Sequence, residues 1–249
     1  MVGMNRFPGY EITEQIDETL HSIVYKARKN GAPGAVIIKA LKTLNHSRDE
    51  IARFKHEFGL IHNTRTEGIV RVLDIIEPDG GIALVLENFD GVSLKALVRQ
   101  GIKLDKFLDL AARLAQILGN LHANNIIHKD IKPGNIMYNS EKDILKITDF
   151  GIASEITGIN AEIYNPKIIE GTLAYMSPEQ SGRMNCAVDY RTDLYSLGVT
   201  FYEMLTGAVP FMAKDPMEII YAHIAKAPTP PAALNPDVPG IVSDMVMRL

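Results

Sequence analysis

The sequence predicts an α+β chain of two lobes, a small β-rich lobe carrying one helix and a larger, mainly helical lobe. Three observations predict it. The first third alternates short β-branched and aromatic runs with turn residues. A single helical period interrupts those runs at Asp49–Ile61. After Asp90-Gly91 the apolar residues recur at helical spacing instead. With 249 residues, 46% hydrophobic and 22% charged, the chain can bury a sizeable core.

In order, Tyr10–Ile16 and Ile23–Arg28 read as strands. Ala35–Leu41 is nearly all apolar, as a strand covered on both faces would be, and Asn30-Gly31 before it is a hairpin signal. Ile51, Phe54, Phe58 and Ile61 mark one helix face. Ile69–Ile76 and Ile82–Glu87 complete five antiparallel strands, joined by the turn Pro78-Asp79-Gly80-Gly81. Residues 1–86 form the expected small lobe, 87–91 a hinge and 92–249 the large lobe. In the latter, Leu104–His122 places Leu110, Leu114, Ile117 and Leu121 on one stripe. Short strands are expected at Ile136–Tyr138 and Leu145–Ile147, and helices at Asp193–Thr206, closed by Gly207, and at Met217–Ala225. Pro228–Pro239 reads as a loop. A last helix begins at Ile241, and the chain stops inside it, so a piece of a longer chain is expected.

A formal charge of -4 offers no basic excess for nucleic acid. Met1–Tyr10 has no apolar signal core, and no run approaches the roughly 20 residues of a membrane helix. The lone Cys186 cannot form an internal disulfide and reads as a small buried apolar residue. A cytoplasmic chain without a membrane segment is the expectation.

The chemistry-bearing residues lie in three groups. The first is His128-Lys129-Asp130-Ile131-Lys132-Pro133-Gly134-Asn135, followed by Asp149-Phe150-Gly151. The second is Val36-Ile37-Ile38-Lys39, with Glu57 or its rival Glu50 on the next helix. The third is Gly171-Thr172-Leu173-Ala174-Tyr175-Met176-Ser177-Pro178-Glu179. Taken together and in this order, the three resemble the signature set of the protein kinases, Ser/Thr type. The likeness runs from about Tyr10 to Leu249, and its implied fold is the bilobal kinase fold. Gly171–Asn185, Asp189–Gly198 and the lysine at 129 are also similar to the N-terminal kinase module of large bacterial proteins. Those proteins join a kinase to ATPase, sensor and histidine-kinase regions.

The resemblance implies transfer of the ATP γ-phosphate to a protein Ser/Thr hydroxyl. Asp130 would accept the hydroxyl proton, and Asn135 and Asp149 would hold Mg2+, a hard cation that takes oxygen ligands. Lys132 would supply positive charge where negative charge gathers. Lys39 would hold phosphates, with Glu57 preferred over Glu50 as its partner. Thr172 would bond to Asp130 and Lys132 and help seat the substrate. Val24, Ile37 and Met137 would sandwich the adenine with Leu86 behind, and Glu87 and Phe89 would offer hinge backbone groups. Asp193 would brace the catalytic loop, although a helix N-cap explains an aspartate there equally well.

The sequence departs from the pattern in four places. Following Ile16, the three glycine positions of the phosphate loop hold Asp17, Thr19 and Ser22, which predicts weaker ATP binding. Lys129 replaces an arginine, and Ser154, Thr157 and Tyr164 are the only hydroxyl residues between Gly151 and Gly171, so loop phosphorylation is not expected as the main switch. Gly134 stands where some kinases keep an acid that selects basic substrates. The arginine expected to pair with Glu179 is absent. These departures keep a nucleotide-binding pseudokinase as the alternative. A small-molecule kinase fits less well, because such enzymes lack the long segment from Asp149 to Glu179.

Overall fold

A computed structural model describes residues 7–19, 22–42, 48–62, 64, 66–77, 81–151, 153–155, 173–184 and 186–249. The chain divides into two units, one comprising 1–65 and 69–91, the other 66–68 and 92–249.

In the first unit, β1 (Tyr10–Glu18), β2 (Ser22–Lys29), β3 (Ala35–Leu41), α1 (Arg48–His62), β4 (Val72–Ile76) and β5 (Ala83–Glu87) follow in order. The strands form one antiparallel five-stranded sheet in the order β1-β2-β3-β5-β4. Register sorts the side chains onto two faces. Tyr25, Ile38 and Val85 are paired neighbours, as are Ile23, Ala40 and Ala83, and with Ala27, Phe7 and Tyr10 they pack into one core. The other face carries Val24, Lys39 and Leu84 in one row and Lys26, Ile37 and Leu86 in the next. β3 is central in the sheet, but the expected cover is one-sided: Ile38 and Ala40 are buried on one face, whereas Ile37 and Lys39 on the other are only half-buried. The hairpin into β3 turns at Gly31, whose φ of 74° requires glycine's freedom. Pro78, Asp79 and Gly80 of the expected β4–β5 turn lie outside the described residues. β4 starts at Val72 rather than Ile69, although Ile69 and Val70 are buried.

The second unit contains β6 (Val92–Ser93), α2 (Leu94–Gln100), α3 (Leu104–Ala123), β7 (Ile126–Ile127), β8 (Ile136–Asn139), β9 (Ile144–Ile147), β10 (Ser154–Glu155), α4 (Arg191–Thr206), α5 (Pro216–Ala225), α6 (Pro231–Leu234) and α7 (Gly240–Val246). The α3 stripe is the core seam, with Leu110, Leu114 and Leu121 fully buried. α4 is buried on most sides and ends at Gly207, which caps it at φ 77° by donating to the Glu203 carbonyl. The β8–β9 hairpin carries the residues that follow the catalytic motif.

Three expectations are corrected here. The Pro228–Pro239 stretch is not all loop, because Pro231 opens a single helical turn, a position where its missing N–H costs nothing. α7 closes at Val246, with the Met247 amide donating to the Ser243 carbonyl, so the last helix ends before Leu249. Cys186 is exposed rather than buried, since it falls in an irregular segment between the Pro178–Ser181 turn and α4, with no periodic apolar face to join. Among the described residues, no helix is long and apolar enough to cross a membrane.

Candidate active site

In the first unit the site is built on the sheet face that carries Lys39. Glu57 follows Phe54 by three positions and precedes Ile61 by four, so the buried stripe of α1 carries its carboxylate inward. Lys39 Nζ meets it at 3.0 and 3.2 Å and lies 5.4 Å from the Phe54 ring centre. Glu57 is only 2% exposed and Lys39 12%, so each charge depends on its partner. The side chain of the rival Glu50 lies outside the described residues. Val24 and Ile37 are half-buried on this face, and Leu86 is buried beside Ile37.

In the β1–β2 turn that lacks glycines, the amides of the described residues Glu18, Thr19 and Ser22 are bonded within the turn. The Thr19 amide donates to the Ser22 carbonyl at 2.8 Å, and the Ser22 amide donates to Thr19 Oγ1 at 3.0 Å. The two hydroxyls are also hydrogen-bonded, and the Glu18 amide donates to the Asp17 carboxylate at 2.8 Å. Lys42 forms an ion pair with Glu18, and this pairing holds the Glu18 carboxyl below its usual range. Ile16 is exposed at an irregularity in the β1 register between Gln15 and Asp17. At the other end of the unit, the Glu87 carboxylate accepts from the Arg71 amide, and Phe89 is half-buried.

In the second unit the catalytic-loop motif is held by α4. Asp193 is fully buried, and its carboxylate accepts from the amides of His128 at 2.8 Å and Lys129 at 2.7 Å and bonds His122 Nε2 at 2.9 Å. α4 begins two residues before Asp193, and Tyr190 is its N-cap, so the capping alternative gives way to bracing of the loop. His128 is also fully buried. Its Nδ1 accepts from the Asp130 amide, which leaves Nε2–H to donate to the Thr148 carbonyl at 3.1 Å, and its ring meets the Phe150 edge at 4.5 Å. The motif contains two non-glycine residues in the left-handed region, Lys129 at φ 67° and Asp149 at φ 70°. Such strain persists only where the surroundings enforce it.

Asp130 is the centre of the arrangement. Its Oδ2 accepts from Lys132 Nζ at 2.7 Å and from Asn135 Nδ2 at 2.8 Å, while Asn135 Nδ2 also donates to the Asp130 carbonyl. Its Oδ1 is buried and has no hydrogen-bond partner among the described residues. Burial pushes the Asp130 carboxyl above the usual carboxylate range, the Lys132 ammonium opposes that, and the nearby Asp149 carboxylate adds to it. Met137 is half-buried on β8, two residues beyond Asn135.

The donor set suits magnesium brought by a nucleotide. Asn135 spends its amide nitrogen on Asp130, which leaves its carbonyl oxygen to offer a cation, and the Asp149 carboxylate is near enough to Asp130 to act on its charge. Mg2+ keeps several waters and takes one or two protein oxygens plus phosphates, so two such ligands suffice. No cluster of three or more His, Cys, Asp or Glu that could hold a metal occurs among the described residues.

The segment before α4 is tied to it as well. Thr192 Oγ1 donates to Glu179 Oε1 at 2.6 Å, Ser177 Oγ donates to Thr192 Oγ1 at 3.3 Å, and Ser196 Oγ donates to the Tyr175 carbonyl. Leu173 and Met176 pack with Ile220 of α5. Thr172, Thr157 and Tyr164 lie outside the described residues. Ser154 pairs with Ile127 in the β7–β10 ladder. Sequence reading missed His122 as the third partner of Asp193, because an isolated polar residue in the last turn of α3 carries no signal of what it faces.

Comparison with known proteins gives the class. The protein kinase domain family matches residues 10–243, and the chain belongs to that family. It is 34% identical to a probable serine/threonine-protein kinase of Clostridium perfringens over 100% of this chain and 36% of that protein. It is likewise 34% identical to the serine/threonine-protein kinase PknB of Mycobacterium tuberculosis, over 96% of this chain and 39% of that one. The chain therefore spans well under half the length of these curated relatives. Among solved structures, a point mutant of the Mycobacterium tuberculosis PknI kinase domain shares the fold with a TM-score of 0.71 and 23% identity, over 97% of this chain and 87% of that one.

Proposed function

We propose that this domain is a protein serine/threonine kinase that moves the γ-phosphate of ATP onto a protein hydroxyl. The observation that carries the reading is the Asp130 carboxylate. One oxygen is fixed by Lys132 and Asn135, and the other is buried without a partner among the described residues. A carboxylate so oriented, with its pKa raised by burial, is suited to align an incoming hydroxyl and take its proton.

In this reading Asp130 Oδ1 accepts the hydroxyl proton, and Lys132 remains on Oδ2 while its charge offsets negative charge on the transferring group. Asn135 and Asp149 hold magnesium, which when bound neutralises phosphate oxygens and keeps them in line. Lys39, oriented by Glu57, contacts the α- and β-phosphates. Val24, Ile37, Leu86 and Met137 enclose the adenine, and Glu87 and Phe89 provide backbone groups to its edge. Ile16, Asp17, Thr19 and Ser22 lie over the phosphates, and Thr172 seats the substrate. Residues 1–86 act as the small lobe, 87–91 as the hinge and 92–249 as the large lobe, which the division of the chain near Gly91 supports.

Lys132 and Thr172 favour Ser/Thr over Tyr as acceptor, and the names of the bacterial relatives support the same choice. The greater length of those relatives supports further domains in the whole protein, acting in bacterial signal transduction within the cytoplasm. Incubation with radiolabelled ATP and magnesium tests the assignment. Label should enter protein Ser or Thr with the wild type and be lost in Asp130→Ala and Asp149→Ala. ATP binding with no incorporation by the wild type would replace the kinase with a nucleotide-binding scaffold.

A further inference from the structure

Lys129 precedes Asp130 and sits at φ 67°, a conformation unfavourable for a side chain with a Cβ. Both its backbone polar groups are held. Its amide donates to Asp193 Oδ1 at 2.7 Å, and its carbonyl accepts from Gln180 Nε2 at 2.8 Å. Gln180 lies 51 residues away, in the single helical turn Pro178–Ser181. The other end of the same side chain is also committed, because Gln180 Oε1 accepts from the Ser177 amide at 3.1 Å. A donor on one side and a carbonyl on the other fix the orientation of the amide group.

These bonds close a ring. Lys129 joins Asp193, the adjacent Thr192 joins Ser177 and Glu179, Ser177 joins Gln180, and Gln180 returns to Lys129. One arc is the catalytic loop, one is the start of α4, and one is the end of the Gly171–Glu179 segment. Ser177, Thr192 and Asp193 are fully buried, so that arc of the ring is shielded from competing water, while Lys129 and Gln180 are half-buried.

We propose that Gln180 is a positioning residue that holds the left-handed Lys129 backbone, aims Asp130, and couples the substrate-side segment to the catalytic loop. The proposal rests on the kinase reading above for its catalytic consequence, but its structural part stands without it. A glutamine is needed because only a side-chain amide offers an acceptor to Ser177 and a donor to Lys129 at once. Glutamate keeps the first bond and sets a carboxylate against a carbonyl at the second.

The test compares the wild type with Gln180→Glu and Gln180→Ala. Hydrogen exchange of the Lys129 and Asp130 amides should quicken about two- to tenfold in both variants, relative to amides in the middle of α3, the change expected if one hydrogen bond of ordinary strength is lost. In phosphotransfer assays, kcat should fall about tenfold while KM for ATP stays within about twofold, the pattern of a lost transition-state alignment. Unchanged exchange in Gln180→Glu would overturn the positioning role whether or not the wild type transfers phosphate. Faster exchange with unchanged kcat in an active wild type would overturn the coupling to catalysis. An inactive wild type would instead count against the kinase reading. A kcat loss that tracks the folded fraction alone would reduce Gln180 to a stability residue and refute its positioning role.

Discussion

The turn between β1 and β2 and the loop from His128 to Asn135 are both short phosphate-facing motifs in the family pattern, yet this chain treats them differently. The loop keeps Asp130, Lys132 and Asn135, and its start is anchored from a distance. Asp193 and Gln180 come from elsewhere in the sequence to hold its backbone, and His122 holds the Asp193 carboxylate in turn. The turn has lost its three glycines, and Thr19, Ser22 and Asp17 bond to local amides. In the proposed reading, the backbone beside Asp130 is held by several long-range bonds, whereas the described residues of the turn bond mainly to one another. If the proposed roles hold, the contrast teaches that alignment of Asp130 is under stricter physical demand than closeness of the cover over ATP.

The largest effect that could break this contrast belongs to Asp130. Replacing it with alanine should lower phosphotransfer by about 10²–10⁴, the usual contribution of a positioned acid–base group. A loss under tenfold in a steady-state assay would place the catalytic carboxylate elsewhere. Next comes Asp193→Ala, which strands the buried amides of His128 and Lys129. It should cost about 2–5 kcal/mol of stability, because each buried unpaired donor costs about 1–3 kcal/mol. Denaturant unfolding measures it, and a change below about 1 kcal/mol would show that the loop does not depend on α4.

A pH series sharpens the same point. Burial raises the Asp130 pKa in the folded chain. A raised folded value means that holding this proton stabilises the fold. That stability is complete below the unfolded value of about 3.9 and is lost as pH rises through the folded value. Asp130→Asn mimics the protonated group, so it should melt with the wild type in acid and above it near neutrality. The reverse order would mean the carboxylate is net stabilising. Activity should fall as acid protonates Asp130.

The smallest expected effect concerns the turn. Changing Asp17, Thr19 and Ser22 together to glycine frees the amides of Glu18 and Ser22 from side chains. One charge-assisted bond to phosphate, about 1.5–3 kcal/mol, set against the entropy of the added glycines, leaves a gain in ATP affinity of about fivefold. Calorimetric titration that finds equal or weaker binding would show that the self-satisfied turn does not limit ATP affinity.

Much of this was legible in the residues. Leu110, Leu114 and Leu121 repeat at helical spacing, so period alone placed them, whereas Glu57 was singled out by the resemblance as the glutamate on the helix after Lys39. The helical turn at Pro231 was hidden because proline reads first as a loop residue. β7 and β10 were hidden because two-residue ladders have no period to detect. Cys186 was misread because residue type outweighed its irregular surroundings. The ring through Gln180 could not be read at all, since a glutamine after Glu179 carries no mark of a carbonyl 51 residues away.

A crystal structure of the domain with magnesium and a non-hydrolysable ATP analogue tests the account most directly. It should place the cation about 2.0–2.1 Å from Asn135 Oδ1 and an Asp149 carboxylate oxygen, with the γ-phosphate beside Asp130 and Lys39 on the inner phosphates. A nucleotide held without Asn135 and Asp149, or with Lys39 directed away from its phosphates, would contradict it.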